Sequence, residues 1–306
     1  MQPDDVALEG VLSVLCTPFH DDGTLDIGSL ERLVEHNLGW GVSGVVCFGL
    51  AGEIYKLTDP ERATVLDAVV AQVDGRVPVI AGTEHTSFEG AIQRTRWAED
   101  AGADAVMVYP PTFVKPDADG VVEYYSALGD ASALPIIVQD APAWTGVALP
   151  LELLARLGRD CPTVTHVKVE APPTAPKLAR LPELGLRPVG GFGALHLGEE
   201  LDAGIDATMP GCAMPGLYVD VMAAHADGDP ALAWSRYTDA LPLLAFQMGG
   251  LDVFVAAQKL LLHRIGVLSS TRLRRPGAAL TDAQRAWLDR VLEHGDLTRY
   301  VGSPPT

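Results

Sequence analysis

The segment Val164-Thr165-His166-Val167-Lys168-Val169-Glu170 sets an imidazole, an amine and a carboxylate into an otherwise apolar run. Side chains alternate along an extended strand, so His166, Lys168 and Glu170 share one face and Val164 continues it below. A lysine withdrawn from water holds its proton less tightly and offers more free amine. A free amine attacks carbonyls and forms a Schiff base. Of the 22 Lys and Arg residues only Lys56, Lys115, Lys168, Lys177 and Lys259 are lysines, so a lysine inside an apolar strand is not compositional background. Two plainer roles compete: a lysine snorkelling from a rim, or a structural ion pair with Glu170. His166, one pleat from Lys168, is the favoured acid/base partner because imidazole titrates near neutrality. Its plainer role is a satisfied core histidine. Glu170, one pleat the other way, is either a rim carboxylate or the anion that keeps Lys168 charged.

The elements that must hold these groups repeat a simple pattern. Eight short apolar runs (Val11–Phe19, Gly44–Leu50, Pro78–Gly82, Ala105–Tyr109, Pro135–Gln139, Val164–Val169, Arg187–Gly191 and Ala207–Gly211) alternate with helix-like segments. Near-continuous Val, Ile and Ala mark strands of a parallel sheet covered by helices. Ile27–Gly39 sets Leu30, Leu33, Val34 and Leu38 on one face, and Asp59-Pro60-Glu61 reads as cap, first helical residue and first-turn acid. Eight strand–helix repeats predict a (β/α)8 TIM barrel over residues 1–222. A doubly wound open sheet is the alternative, but the first turn, Thr17 to Gly23, is no glycine-rich phosphate cradle. Residues 223–306 read as a C-terminal helical region, with a loose end at 302–306.

Bulk composition narrows the partners. The net charge of −18 argues against nucleic acid and anionic membrane surfaces. No run of about twenty apolar residues predicts a membrane span. The first residues, Met1 to Asp5, lack the basic-then-apolar order of a secretory signal. Cys16, Cys47, Cys161 and Cys212 show no CxxC spacing, so reduced, buried thiols in a cytoplasmic protein are expected, without zinc or disulfides.

In such a barrel, chemistry sits where the strands end. Those ends carry Leu50, Ala51 and Glu53; Glu84 and His85; Phe113; Gln139 and Asp140; Lys168 and Glu170; Gly191; and Met209. Taken in order, these motifs resemble the family of dihydrodipicolinate synthase and N-acetylneuraminate lyase. Gly49-Leu50-Ala51-Gly52-Glu53 resembles its Gly-Thr-Thr-Gly-Glu turn, and Pro78-Val79-Ile80-Ala81-Gly82-Thr83 its third strand. Pro110 to Pro116 resembles its Pro-Tyr-Tyr-Asn-Lys-Pro loop, and Asp140 to Gly146 its Asn-x-Pro-Gly-Arg-Thr-Gly run. Lys168 falls on the family's Schiff-base lysine. The resemblance implies a 2-oxo acid substrate such as pyruvate and, commonly, a homo-oligomer built as a dimer or a tetramer of two dimers. A protonated imine is itself the electron sink, so the implied reaction asks for no metal or other cofactor.

The departures from the family pattern are chemical. Gln139 stands where the family has a proton-shuttling tyrosine, and an amide cannot act as acid or base near neutral pH. Leu50 and Ala51 replace two carboxylate-binding threonines, Phe113 replaces the loop's second tyrosine, and Trp144 replaces an arginine. The pocket is therefore expected to take a more apolar partner substrate than the synthase does. Catalytic roles fall to Lys168, His166 and Gln139. Substrate-binding roles fall to Leu50, Ala51, Phe113, Trp144, Glu170, Gly191 and Met209. Asp140 and Glu84 are weaker acid/base candidates, and Glu53 reads as a brace for its own turn. The first reading is an aldolase-type lyase. A dehydratase using the same lysine is the second, and a catalytically silent barrel with a binding or assembly role is the third.

Overall fold

The computed structural model describes residue 6 and residues 8–302. The signal reading at Met1–Asp5 and residues 303–306 of the loose end lie outside the described residues. Eight parallel strands close on themselves in chain order, with β8 paired to β1. They are β1 (Gly10–Val14), β2 (Gly44–Cys47), β3 (Val79–Gly82), β4 (Ala105–Val108), β5 (Ile136–Asp140), β6 (Val164–Val169), β7 (Arg187–Gly190) and β8 (Ala207–Thr208). Helices α1 (Ile27–Gly39), α2 (Asp59–Val73), α3 (Phe88–Asp100), α4 (Ala118–Ala131), a short α5 (Pro142–Thr145), α6 (Leu151–Asp160), α7 (Thr174–Leu178), α8 (Leu197–Asp202) and α9 (Pro215–Ala226) fill the returns. Then α10 (Pro230–Gln247), α11 (Leu251–Arg264) and α12 (Asp282–His294) form the C-terminal extension. Residue 222 lies inside α9, so the division at 222/223 does not follow an element boundary. No helix among the described residues is long and apolar enough to cross a membrane.

The alternation of the strands builds two apolar layers. Leu12, Val46, Ile80, Met107, Ile137 and Val189 fill the barrel interior. Val11, Val45, Val106, Val138 and Val167 face outward onto the helices, against residues such as Leu30, Leu66 and Val69. This is why the strands read as continuous apolar runs rather than alternating ones.

Local chemistry corrects several expectations. The cap of α2 is Thr58, not Asp59: the Thr58 hydroxyl accepts from the Glu61 amide, and the Glu61 carboxylate accepts from the Thr58 amide, closing a capping box. The run Val11–Phe19 is strand only to Val14, and beyond it Thr17 leaves the ladder and donates to the Gly52 carbonyl at 2.6 Å. Val164 does not continue the Lys168 face. Ile136 pairs with Val164 and Ile137 with His166, so Thr165 is an extra residue in β6. Such a bulge breaks strict alternation, and Val164 packs in the outer layer instead.

One buried ion cluster ties the extension to the barrel. Glu53, in the left-handed conformation after β2, receives Lys259 of α11 at 2.5 Å and Lys56 at 2.9 Å. The Arg274 amide reaches the same carboxylate at 3.0 Å. Lys259 also donates to the Arg272 carbonyl at 2.8 Å and lies 4.5 Å from the centre of the Phe19 ring. Glu53 and Lys259 are fully buried, so each needs the other. Glu53→Ala leaves Lys259 without its anion and is expected to cost about 3–5 kcal/mol. Urea unfolding measures this; a loss below about 1 kcal/mol, the level of exposed pairs, would contradict the anchoring role.

Candidate active site

A cavity opens where the strands end. It encloses about 470 Å³ including its open mouth. The barrel contributes Val14, Leu50, Ala51, Lys168, Glu170, Met209 and Pro210, the α5 turn contributes Trp144, and the β7–α8 turn contributes Gly193. Met248, Gly250, Leu251 and Phe254, from the α10–α11 junction, close the remaining side.

Lys168 and Glu170 are buried at the base of this cavity, with Lys168 Nζ 3.3 Å from Glu170 Oε1. Glu170 is held from two further directions. Gln139, paired with Lys168 across the sheet, donates its side-chain amide to Glu170 Oε2 at 2.6 Å. The Phe192 backbone amide donates to Glu170 Oε1 at 3.1 Å. Gly191 completes the fit: a Cβ there would lie 2.6 Å from Glu170 Cγ and 3.0 Å from Lys168 Cε. A carboxylate at this distance can take a proton from the ammonium and return it to a group bound at the amine. The apolar walls lower the local dielectric and strengthen the pair.

The expected site residues separate into groups. Leu50, Ala51, Trp144, Lys168, Glu170 and Met209 come together around the cavity. Gln139 and Gly191 stand just behind, against Glu170. Phe113 does not line it. Pro110 and Pro111 have no amide to extend the β4 ladder, and the chain leaves the mouth there, so Phe113 is 89% exposed. His166 is also corrected. It lies deeper in the barrel, buried, with Nδ1 2.7 Å from Thr165 Oγ1 and no partner at Nε2 among the described residues. Burial, with a smaller push from the Arg187 charge, drives its pKa from 6.5 down to about 4. Burial thus favours its neutral form, and the ring does not line the cavity that holds Lys168.

The weaker candidates sit elsewhere. Asp140 points away from the cavity into an ion pair with Lys177, and burial raises its carboxyl. Glu84 pairs with Arg62 at 3.4 Å in a separate cavity with Tyr109 and Arg94, where burial pushes it up to about 7. His85 bonds the Ser87 amide at 3.0 Å in its own loop. All four cysteines are free and buried. Among the described residues no group of His, Cys, Asp or Glu could hold a metal ion. The residues missed from the sequence are those of the α10–α11 junction. Their signal was Gly249-Gly250 between two helical runs, a break that carries the chain across the barrel mouth.

The profile of the dihydrodipicolinate synthetase family matches residues 7–295. The chain is 35% identical over 287 residues to the L-2-keto-3-deoxyarabonate dehydratase of Azospirillum brasilense, covering 91% of this chain and 92% of that protein. It is 31% identical to the 4-hydroxy-tetrahydrodipicolinate synthase of Methanoculleus marisnigri, over 94% and 99% of the two chains. A crystal structure of dihydrodipicolinate synthase from Rhodopseudomonas palustris superposes with a TM-score of 0.89 at 28% identity, covering 96% of this chain and 99% of that one.

Two outcomes follow from the geometry. Gly191→Ala is expected to displace the Lys168–Glu170 pair and abolish imine trapping while leaving the circular dichroism spectrum unchanged; undiminished trapping would show that the pair tolerates the shift. For His166 the folded pKa lies below the ordinary one. The neutral ring's contribution is thus complete above about pH 6.5 and is lost as the pH falls towards about 4, by about 3 kcal/mol. His166→Asn should remove that part of the acid sensitivity in urea midpoints measured across this range, and an acid dependence identical to wild type would refute it.

Proposed function

The chain belongs to the dihydrodipicolinate synthetase family, an enzyme family of Schiff-base lyases and dehydratases, and from that premise we propose that Lys168 condenses with a 2-oxo acid and that Glu170 then drives loss of water from it. The observation that carries this reading is the Glu170 carboxylate, 3.3 Å from Lys168 Nζ and fixed by Gln139 and the Phe192 amide. Glu170 takes the ammonium proton, the free amine adds to the C2 carbonyl, and Glu170 returns that proton to the C2 hydroxyl, which leaves as water and gives the protonated imine. The protonated imine acidifies C3, and Glu170 removes a proton there to give the enamine. A hydroxyl on C4 leaves with the proton that Glu170 returns. Water then hydrolyses the imine and frees Lys168, so the net change is loss of one water.

Dehydration is favoured over aldol chemistry on two grounds. The acid/base group is a carboxylate rather than a phenol, and a relative at 35% identity carries the name of a keto-deoxy-sugar-acid dehydratase. Aldol-type bond formation or cleavage through the same enamine is the second reading, since another relative is named as a synthase. The expected apolar partner now rests on Leu50, Trp144 and Met209, with Met248, Leu251 and Phe254. A short 3-deoxy-2-oxo acid competes with it as substrate, held through its carboxylate by backbone amides of the Leu50–Ala51 turn. Self-association is part of the proposal, and the exposed Phe113, Val114 and Tyr55 are the apolar surface it would cover.

Borohydride trapping with pyruvate and with 3-deoxy-2-oxo acids bearing a C4 hydroxyl tests the reading. An adduct on Lys168, lost in Lys168→Met, is expected, with dehydrated product from the hydroxylated acids only. Glu170→Gln should lower kcat by roughly 10²–10⁴, the range for a general acid/base. No adduct with any member of the panel would overturn the imine; an adduct with cleavage products alone would move the assignment to an aldolase.

A further inference from the structure

Behind the site, on the outer side of β7, α8 buries Glu200 completely. The Thr174 hydroxyl and the Gly191 amide face its carboxyl, yet neither closes a hydrogen bond, and both carboxyl oxygens and Thr174 Oγ1 are unpartnered among the described residues. The backbone between Glu200 and the active site is bare. A Cβ on Gly190 would lie 2.4 Å from Glu200 Oε2, and one on Gly191 would lie 2.6 Å from Glu170 Cγ. Two carboxyl side chains thus press on opposite faces of two consecutive glycines. The next residues, Phe192, Gly193 and Ala194, are all left-handed, with φ of 51°, 61° and 63°. Two of them are not glycine, and such a turn persists only when its surroundings hold it. That turn presents the Phe192 amide to Glu170.

We propose that Glu200 is a positioning residue, a carboxyl wedged behind Gly190 and Gly191 that sets the turn holding Glu170 and, through Glu170, the availability of the Lys168 amine. The proposal rests on the reading of Lys168 as the imine-forming residue. An ionised carboxylate without partners there would be costly. Burial pushes Glu200 up to about 8, and the negative charges of Glu199 and Glu170 act in the same direction. The groups facing it are Glu170 across the glycine wall, Glu199 on its own helix, Thr174 of α7 and Tyr237 of α10, whose phenol is raised in part by Glu200. His196, ahead of α8, is occupied with Glu199 at 3.0 Å. When Glu200 ionises, a second negative charge lies behind Glu170. Lys168 then holds its proton more tightly, and less free amine is available.

The test compares wild type, Glu200→Gln and Glu200→Ala. Competitive acetylation of Lys168 by acetic anhydride, read by mass spectrometry against the exposed Lys115, needs no substrate. At alkaline pH the Gln variant is expected to label Lys168 about threefold faster than wild type, a shift of about half a pKa unit, with equal labelling at neutral pH. Borohydride trapping of pyruvate should persist in Glu200→Gln at neutral pH and fall at least about tenfold in Glu200→Ala. Superposable labelling curves for wild type and Glu200→Gln, or a tenfold loss of trapping in the Gln variant at neutral pH, would overturn the proposal. Should the Ala variant not fold, the Gln variant still decides. Should wild type trap no pyruvate at all, the imine reading fails while the labelling curves still decide the role of Glu200.

Discussion

A cation at the mouth of an apolar barrel must have an anion beside it, and the whole site is arranged around that demand. Lys168 projects into a cavity walled by Val14, Leu50, Met209, Leu251 and Phe254, where water solvates it poorly. Glu170 answers it two residues on, directly after β6, where its own amide still bonds the Asp140 carbonyl of β5 at 2.8 Å, so the spacing is fixed by the pleat rather than by a flexible loop. The carboxylate is in turn over-determined by Gln139 from β5 and by the Phe192 amide after β7. Three adjacent strands thus converge on one carboxylate. Gly191 is bare because that convergence leaves no volume for a methyl group.

A second buried pair does for the cavity wall what Glu170 does for the lysine. The extension α10–α12 is not decoration on a finished barrel, because α11 supplies Leu251 and Phe254 to the cavity. Its seat is fixed by Lys259, eight residues after Leu251, which reaches Glu53 in the turn beyond Leu50 and Ala51. One residue of that turn anchors the extension and two others line the pocket. The cavity wall is therefore seated by an ion pair that lies outside the cavity lining. Arg274, bonded to Glu61 at 2.6 and 2.7 Å and stacked 4.4 Å from Phe19, extends the clamp to the start of α2.

What was legible in the sequence follows from what governs each position. The eight strands were legible because a parallel barrel buries both faces of each strand and leaves an apolar run. Lys168, Glu170, Leu50, Ala51, Trp144 and Met209 were legible because strand ends are where such a barrel exposes side chains. His166 was misjudged on depth, since sharing a face with Lys168 says nothing about reaching the cavity. Two residues of strand rise separate them by about 6.6 Å, enough to take the ring into the dry interior. Val164 was misplaced by a bulge that no residue type in the run announces. Phe113 was carried over from a resemblance in loop sequence, while its position depends on where two prolines steer the chain. The α10–α11 wall escaped because it is far from the barrel strands in sequence and is brought to them by Lys259 and Glu53.

The exchange of a tyrosine for Gln139, read at first as the loss of a proton relay, is better understood as a change in which atom holds the proton. Gln139 donates its amide hydrogen to Glu170, and an amide in that role can neither give up a proton nor accept the carboxylate's. It leaves the Glu170 carboxylate as the group beside Lys168, 3.3 Å from its amine. A carboxylate is a weaker base than a phenolate but is already ionised at neutral pH. It can abstract a proton acidified by an imine without first being deprotonated, and the same group, once protonated, is a stronger acid than a phenol towards a leaving hydroxyl. Elimination needs those two acts in succession, on neighbouring carbons. A single fixed carboxylate beside the imine nitrogen supplies both, which is why the substitution that seemed to argue against catalysis is the one that best fits the proposed dehydration.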